Sequence, residues 1–216
     1  MNKAGIYLHI PFCKTKCIYC DFYSITNRDD SIDNFVSCIS KEINLNKNKL
    51  SNYEFDSIFF GGGTPSVLKP DQLKLIMHSL NENFKISNNC EITLECNPGE
   101  ISFDKLKNFR KLGINRLSIG FQSFNDKHLK FLGRLHKSKD SINTYNNAQK
   151  AGFENINIDL IYDIPNQTIE EWKNDLKKIT SISPTHISAY SLTVEKNTVL
   201  NSMVKNKTIT MPSSTL

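Results

Sequence analysis

The stretch HIPFCKTKCIYCDFYS, residues 9–24, places three cysteines, Cys13, Cys17 and Cys20, in a C-x3-C-x2-C spacing with no fourth beside them. It leaves directly from AGIYLHI (4–10), where every second side chain is apolar, the pattern of a half-buried strand. Five further strand-like runs follow: FDSIFFG (55–61), CEITLEC (90–96), RLSIG (116–120), NINIDLIY (155–162) and HISAYSL (186–192). Several are rich in β-branched and aromatic residues and end in Gly, Pro or Asn. The cysteines therefore sit on the loop after the first of about six strands.

Between the strands the period changes to that of a helix. Leu73, Ile76, Met77, Leu80 and Phe84 share one face of DQLKLIMHSLNENF, and Ile169, Trp172, Leu176 and Ile179 share one face of IEEWKNDLKKI. Ile32, Phe35, Val36, Ile39, Ile43 and Leu45 form a third amphipathic run. Pro70-Asp71 and Thr168-x-x-Glu171 mark helix starts. Gly113 and Gly152 stand where a left-handed residue ends a helix. Strand and helix in alternation predict an α/β fold, a parallel sheet with helices on the outside. Six strands are too few to close an eight-stranded barrel. No linker divides residues 1–216, so one domain is expected, and only polar KNKTITMPSSTL follows the last strand, without a helix to cover it.

Composition excludes several function classes. With 27 basic against 22 acidic residues the net charge is +5, but the lysines are scattered, which describes a solvated surface better than a nucleic-acid partner. No stretch approaches the roughly 18–20 apolar residues of a membrane span, and the N-terminus lacks the basic and apolar regions of a signal peptide. A cytoplasmic chain is expected, in which six cysteines are not a disulfide framework. Cys38, Cys90 and Cys96 fall in helix-like or strand-like runs and read as small buried hydrophobes.

Two chemistries suit the thiol cluster. A structural zinc site needs four converging nitrogen or sulfur ligands, and His9, in an alternating strand, reads as packing against a neighbour. A [4Fe–4S] cluster is normally held by four thiolates. With three, one iron keeps an open position for a substrate or cofactor. The spacing favours the second.

FFGGGTPS, at the end of the second strand, frees a backbone of Cβ atoms at Gly61, Gly62 and Gly63, so that its polar groups can approach a ligand. Polar residues recur near later strand ends, where α/β folds bind ligands: Glu95, Gln122 and Asp159, with Arg134 suited to hold a carboxylate by two hydrogen bonds. A carboxylate in a strand as apolar as INIDLIY needs a partner.

C-x3-C-x2-C after a first βα strand, with Tyr19 before the third cysteine, resembles the radical S-adenosylmethionine (SAM) superfamily. The resemblance implies a partial (β/α)6 barrel and a [4Fe–4S] cluster on Cys13, Cys17 and Cys20, with SAM as the fourth ligand. In that family the reduced cluster cleaves SAM to a 5′-deoxyadenosyl radical. GGGTP implies that Gly62, Gly63 and Thr64 meet the methionyl amino group. IYLHIPFCKTKCIYCDF, TLECNPGE, GFQSFND, LGRLHKS and NIDLIYDIPNQT occur in order and resemble the oxygen-independent coproporphyrinogen III oxidase branch. By motif, Tyr7 would lie beside the methionine moiety and Tyr19 beside the adenosyl group. Glu95 would bind the amino group, Arg134 the carboxylate, and Gln122 and Asp159 the ribose hydroxyls.

That oxidase has a further cysteine where this chain has Phe22. The pattern instead is similar to the heme chaperones of the HemW group, which implies heme as cargo, heme-accepting proteins such as respiratory enzymes as partners, and no nucleic acid or transmembrane segment. Peripheral membrane association stays open. The alternative is a radical SAM oxidoreductase that oxidatively decarboxylates coproporphyrinogen III. HemW-type proteins continue into a domain with an H-N-x-x-Y-W stretch that these residues lack, so no heme ligand is assigned. Trp172 reads as core, and His128 and His136 as surface residues or neighbours of the SAM site.

Overall fold

The computed structural model describes residues 2–212. Six parallel strands lie in sequence order: β1 (Asn2–Ile10), β2 (Tyr53–Gly62), β3 (Lys85–Cys96), β4 (Arg116–Gln122), β5 (Asn155–Tyr162) and β6 (His186–Ser191). Each crossover carries at least one helix: α1 (Ile32–Asn46), α2 (Pro70–Asn83), α3 (Phe103–Lys111), α4 (Asp126–Phe131) and α5 (Ser138–Lys150) together, then α6 (Ile169–Ile182). The sheet curls into a half-barrel with helices around it, as expected for a partial barrel.

Alternation along the strands sorts the two faces. Ile10, Ile58, Phe60, Leu94, Leu117, Ile119, Ile158 and Leu160 point outward into the main core. The helices bury their apolar faces there, with Leu73, Ile76 and Leu80 of α2 and Val36 and Ile43 of α1 inaccessible or nearly so. The opposite, inward face is polar: Thr93 and Glu95 on β3, Ser118 on β4, Asn157 and Asp159 on β5 and Ser188 on β6. At its lower end Arg116 bonds His186 Nδ1 at 2.9 Å and donates to Thr93 Oγ1 at 3.3 Å.

Several local expectations hold. Thr168 and Glu171 form the reciprocal capping box of α6, with Glu171 N–H donating to Thr168 Oγ1 at 3.2 Å and Thr168 N–H to Glu171 Oε2 at 2.9 Å. Gly113 and Gly152 end helices at φ 103° and 91°. Others are corrected. Leu45 is exposed at the end of α1, and Cys38, read as buried, is exposed on the same helix. The buried face of α6 is rotated, so that Asp175 and Ile179 are buried while Ile169 and Leu176 are exposed. Asp175 is satisfied there by Ser123 Oγ at 2.6 Å and Phe124 N–H at 3.0 Å, so the carboxylate is not stranded.

A helix does follow the last strand. Helix α7 (Val199–Lys205) is capped by Thr198, whose Oγ1 accepts from Asn201 N–H at 3.1 Å. It buries Leu200 in a second apolar cluster with Leu132, Ile161, Ile164 and Leu192, against which Ile18 and Tyr19 of the cysteine loop pack. Strand β6 stays exposed, with Ile187 and Tyr190 open to solvent. No helix among the described residues is long and apolar enough to cross a membrane.

Candidate functional site

The cysteine loop stands at the C-terminal ends of the strands. Its base is closed by Cys13 N–H donating to Ile25 O at 2.9 Å and Ile25 N–H to Pro11 O at 2.7 Å. His9 Nε2–H donates to Tyr23 O at 2.8 Å, which leaves Nδ1 to accept from Tyr7 Oη at 3.1 Å. His9 is thus a latch between β1 and the loop, as its place in an alternating strand suggested. Farther along, Leu200 N–H donates to Ile18 O at 2.9 Å, so α7 holds the arm between Cys17 and Cys20. Gly133, at φ 76°, lets the chain pass within 3.5 Å of Ile18 N and 3.7 Å of Cys17 Cα, measured from where a Cβ would stand.

The glycine run lies against this loop. A Cβ on Gly62 would come within 2.6 Å of the His9 ring, and one on Gly63 within 2.8 Å of Phe12 O and 2.9 Å of Cys13 Sγ. Those contacts are closer than any side chain tolerates, so the run serves loop docking as well as any ligand. Gly63 N–H donates to Ile10 O and Thr64 N–H to Phe12 O, both at 2.8 Å. Thr64 Oγ1 reaches Cys13 Sγ at 3.5 Å.

Arg134 approaches from the turn after α4. Its Nη1 is 3.5 Å from Cys17 Sγ and its Nη2 donates to Gly120 O at 3.0 Å and to Asn97 Oδ1. Tyr19 packs beside it; burial raises the phenol pKa, and the guanidinium offsets part of that rise. Gln122 ends β4 in the left-handed region at φ 66°, folded back so that its Nε2 lies 2.7 Å from where a Gly120 Cβ would be. Tyr7 stays largely exposed on the inner face.

The two strand-end carboxyls face the half-barrel interior. Glu95 accepts from Gly62 N–H at 3.2 Å, and burial, then the charge of Asp159, pushes its pKa up to about 7. Asp159 has the partners its setting demands, Ser118 Oγ at 2.9 Å and Asn157 Nδ2 at 2.7 Å, although burial still raises its pKa. Asn97 links Thr64 to Arg134 through its amide. Sequence reasoning misses this residue, because nothing in its spacing distinguishes it from a turn asparagine before proline. His128 and His136 are buried rather than on the surface. His128 lies 3.3 Å from Glu171 Oε2, and His136 Nε2–H donates to Phe121 O at 3.2 Å.

All three loop cysteines are free and half-buried. Burial raises the pKa of the Cys13 and Cys20 thiols, and Cys17 beside them adds to the rise. Among the described residues no three His, Cys, Asp or Glu side chains are grouped to hold a metal ion. A sulfur-only donor set spread over one loop, on a glycine shelf, fits a [4Fe–4S] cluster, whose thiolates sit at separate corners.

Comparisons with known proteins show the family and the fold. The family model of the radical SAM superfamily matches residues 7–179. The heme chaperone HemW of Buchnera aphidicola subsp. Schizaphis graminum is 40% identical over 203 residues, covering 92% of this chain and 53% of the relative. HemW of Escherichia coli is 34% identical, covering 94% and 54%. The solved structure of coproporphyrinogen III oxidase (HemN) from Escherichia coli, described as a radical SAM enzyme, superposes with a TM-score of 0.86 at 30% identity, covering 99% of this chain and 49% of that one. The chain thus spans about half the length of these relatives. Membership implies a [4Fe–4S] cluster and SAM. A thiol loop at the strand ends of a parallel half-barrel, together with the family match over most of its length, makes this chain a member of the radical SAM superfamily.

Proposed function

We propose that the chain is a HemW-type heme chaperone, which binds heme and passes it to acceptor proteins, and which carries a [4Fe–4S] cluster on Cys13, Cys17 and Cys20. The observation that carries the cluster half of the reading is the convergence of Thr64 and Arg134 on the sulfur atoms of Cys13 and Cys17, each at 3.5 Å. The cargo half is supported by the HemW relatives. Cys13, Cys17 and Cys20 would hold the cluster, and its chemistry there would be to supply an electron for reductive cleavage of SAM.

This chain's own residues would bind and orient the SAM. Gly62, Gly63, Thr64 and Glu95 would hold the methionyl amino group, since Glu95 already takes the Gly62 amide and keeps an oxygen to share. Arg134 would take the carboxylate, Gln122 and Asp159 the ribose hydroxyls, Tyr7 the methionine side and Tyr19 the adenosyl side. Leu132, Ile161 and Leu192, buried beside Tyr19, would exclude water there.

The test is anaerobic reconstitution with iron and sulfide, followed by EPR of the reduced chain before and after SAM. A [4Fe–4S]⁺ signal that shifts with SAM is expected, and Cys17→Ala should abolish it. Stoichiometric zinc without iron or sulfide would sink the cluster reading. Hemin titration and transfer to an apo-acceptor then test the cargo. Conversion of coproporphyrinogen III to protoporphyrinogen IX would instead make the chain an oxidase.

A further inference from the structure

Two hydrogen bonds reach the cysteine sulfurs from different elements, and one side chain holds both donors. Asn97 follows β3 and stands between Thr64 and Arg134. Its Nδ2 donates to Thr64 Oγ1 at 3.1 Å and to Glu100 Oε2 at 3.3 Å, while its Oδ1 accepts from Arg134 Nη2. We propose that Asn97 is a positioning residue that aims both sulfur-directed hydrogen bonds and thereby sets the reduction potential of the cluster. The inference rests on the reading of Cys13, Cys17 and Cys20 as cluster ligands.

Donor and acceptor counting carries it. The Thr64 hydroxyl has one proton and accepts from Asn97, so that proton is left for Cys13 Sγ, 3.5 Å away. Arg134 Nη2 has two N–H groups, and Asn97 Oδ1 and Gly120 O take both. The guanidinium is planar and rigid, so fixing Nη2 presents Nη1 to Cys17 Sγ at 3.5 Å. The amide cannot reverse. Reversal would set its NH2 against the guanidinium and its carbonyl against the Glu100 carboxylate. Room for the junction comes from Gly120, where a Cβ would stand 3.1 Å from Arg134 Nη2 and 3.5 Å from Asn97 Oδ1.

Hydrogen bonds to cluster sulfurs favour the more negative, reduced state and raise its potential. Among the described residues the Asn97 amide bonds Thr64, Glu100 and Arg134 and no thiol, so its effect on the potential runs through Thr64 and Arg134.

The experiment is an EPR-monitored redox titration of the reconstituted full chain without SAM. Asn97→Ala should raise the oxidised-to-reduced ratio at fixed potential about tenfold, a midpoint about 59 mV more negative for a one-electron couple, with iron and sulfide at wild-type content. An unchanged midpoint in the loaded variant overturns the proposal. Should Asn97→Ala fail to hold the cluster, Asn97→Ser, which keeps a hydroxyl for Glu100 but gives up the reach to Arg134, is titrated in its place: a midpoint shifted in the same direction supports the proposal, and an unchanged one overturns it. Asn115→Ala is the control. Its amide bonds Ile92 N–H at 2.7 Å and Cys90 O at 2.8 Å, well before the strand end, so it should lower stability without moving the potential. An equal shift there would mean a merely structural effect and would also overturn the proposal. A wild-type chain that takes up no [4Fe–4S] cluster overturns the ligand reading itself, a failure seen before any Asn97 variant is made.

Discussion

The backbone N–H of Gly62 donates to Glu95 Oε2 at 3.2 Å, tying the end of β2 to the end of β3 over a carboxyl that titrates near pH 7. Burial is the main cause and the facing Asp159 the second. The folded chain therefore holds a proton on Glu95 between its ordinary value of 4.5 and about 7, where the unfolded chain has released it. Its contribution to stability is fully present below pH 4.5 and is lost as pH rises through 7. Glu95→Gln should remove that dependence and gain about 1–3 kcal/mol on wild type between pH 5 and pH 8. Urea unfolding at the two pH values measures it, and parallel pH profiles for both chains would count against the shifted carboxyl.

His136 behaves in the opposite sense. Burial, with Arg134 nearby, pushes its pKa down to about 4, and its Nε2–H anchors Phe121 O just before the left-handed Gln122. Stability is full above the ordinary value of 6.5 and is lost as pH falls towards 4, because the unfolded chain takes up the proton first. His136→Gln should flatten this acid loss by about 2 kcal/mol. A fluorescence-monitored acid titration decides, and an acid midpoint that does not move would mean the imidazole is hydrated.

Gly62→Ala meets two obstacles, φ of 112° and the His9 ring 2.6 Å from the new methyl. It should cost about 2–4 kcal/mol, read from the urea midpoint. Gly63→Ala meets no such φ, but its methyl strikes Phe12 O and Cys13 Sγ. The main fold should survive while the loop shifts, so iron retention after reconstitution should fall further than thermal stability does. Equal losses in both would mean that the loop and the sheet move together.

Leu200 is fully buried in the second apolar cluster. Leu200→Ala should cost about 2–4 kcal/mol and speed amide exchange across residues 17–20, leaving the amides of β2 to β4 protected. Unchanged exchange at Ile18 and Tyr19 would show that α7 does not brace the loop.

Much of the fold was legible because strands and long helices advertise themselves by period. Each of the six strands contains or overlaps the run read for it, and α1, α2 and α6 cover the runs with helical spacing, although α6 buries a different face from the one expected. Helix α5, SKDSINTYNNAQK, escaped because its buried face is Ser141, Thr144, Tyr145 and Ala148, and its composition suits a loop as well. Only the Gly152 that closes it carries a local signal. Helix α7 is short, and its worth comes from Leu200 meeting residues far earlier in the chain, which no local window contains. Strand β3 begins at Lys85 rather than Cys90 because Lys85 and Ile86 pair with Glu54 and Phe55 before a bulge. In the site, motif residues were easy to name. Asn97 was not, since a hydrogen-bond junction leaves no spacing to read, and burial of His128 and His136 depends on partners chosen by the tertiary fold.

The hydrogen bond from Leu200 to Ile18 also orders events in time. A ribosome releases the cysteine loop early and α7 nearly two hundred residues after it, at about 5–20 residues per second. Until that helix docks, Ile18 lacks its bond from Leu200 and the apolar cover over Tyr19 is unfinished. The thiols of Cys13, Cys17 and Cys20 are thus braced only once a helix made long after them has emerged and docked. The order of synthesis leaves the loop without that support for most of the time the sheet is being assembled.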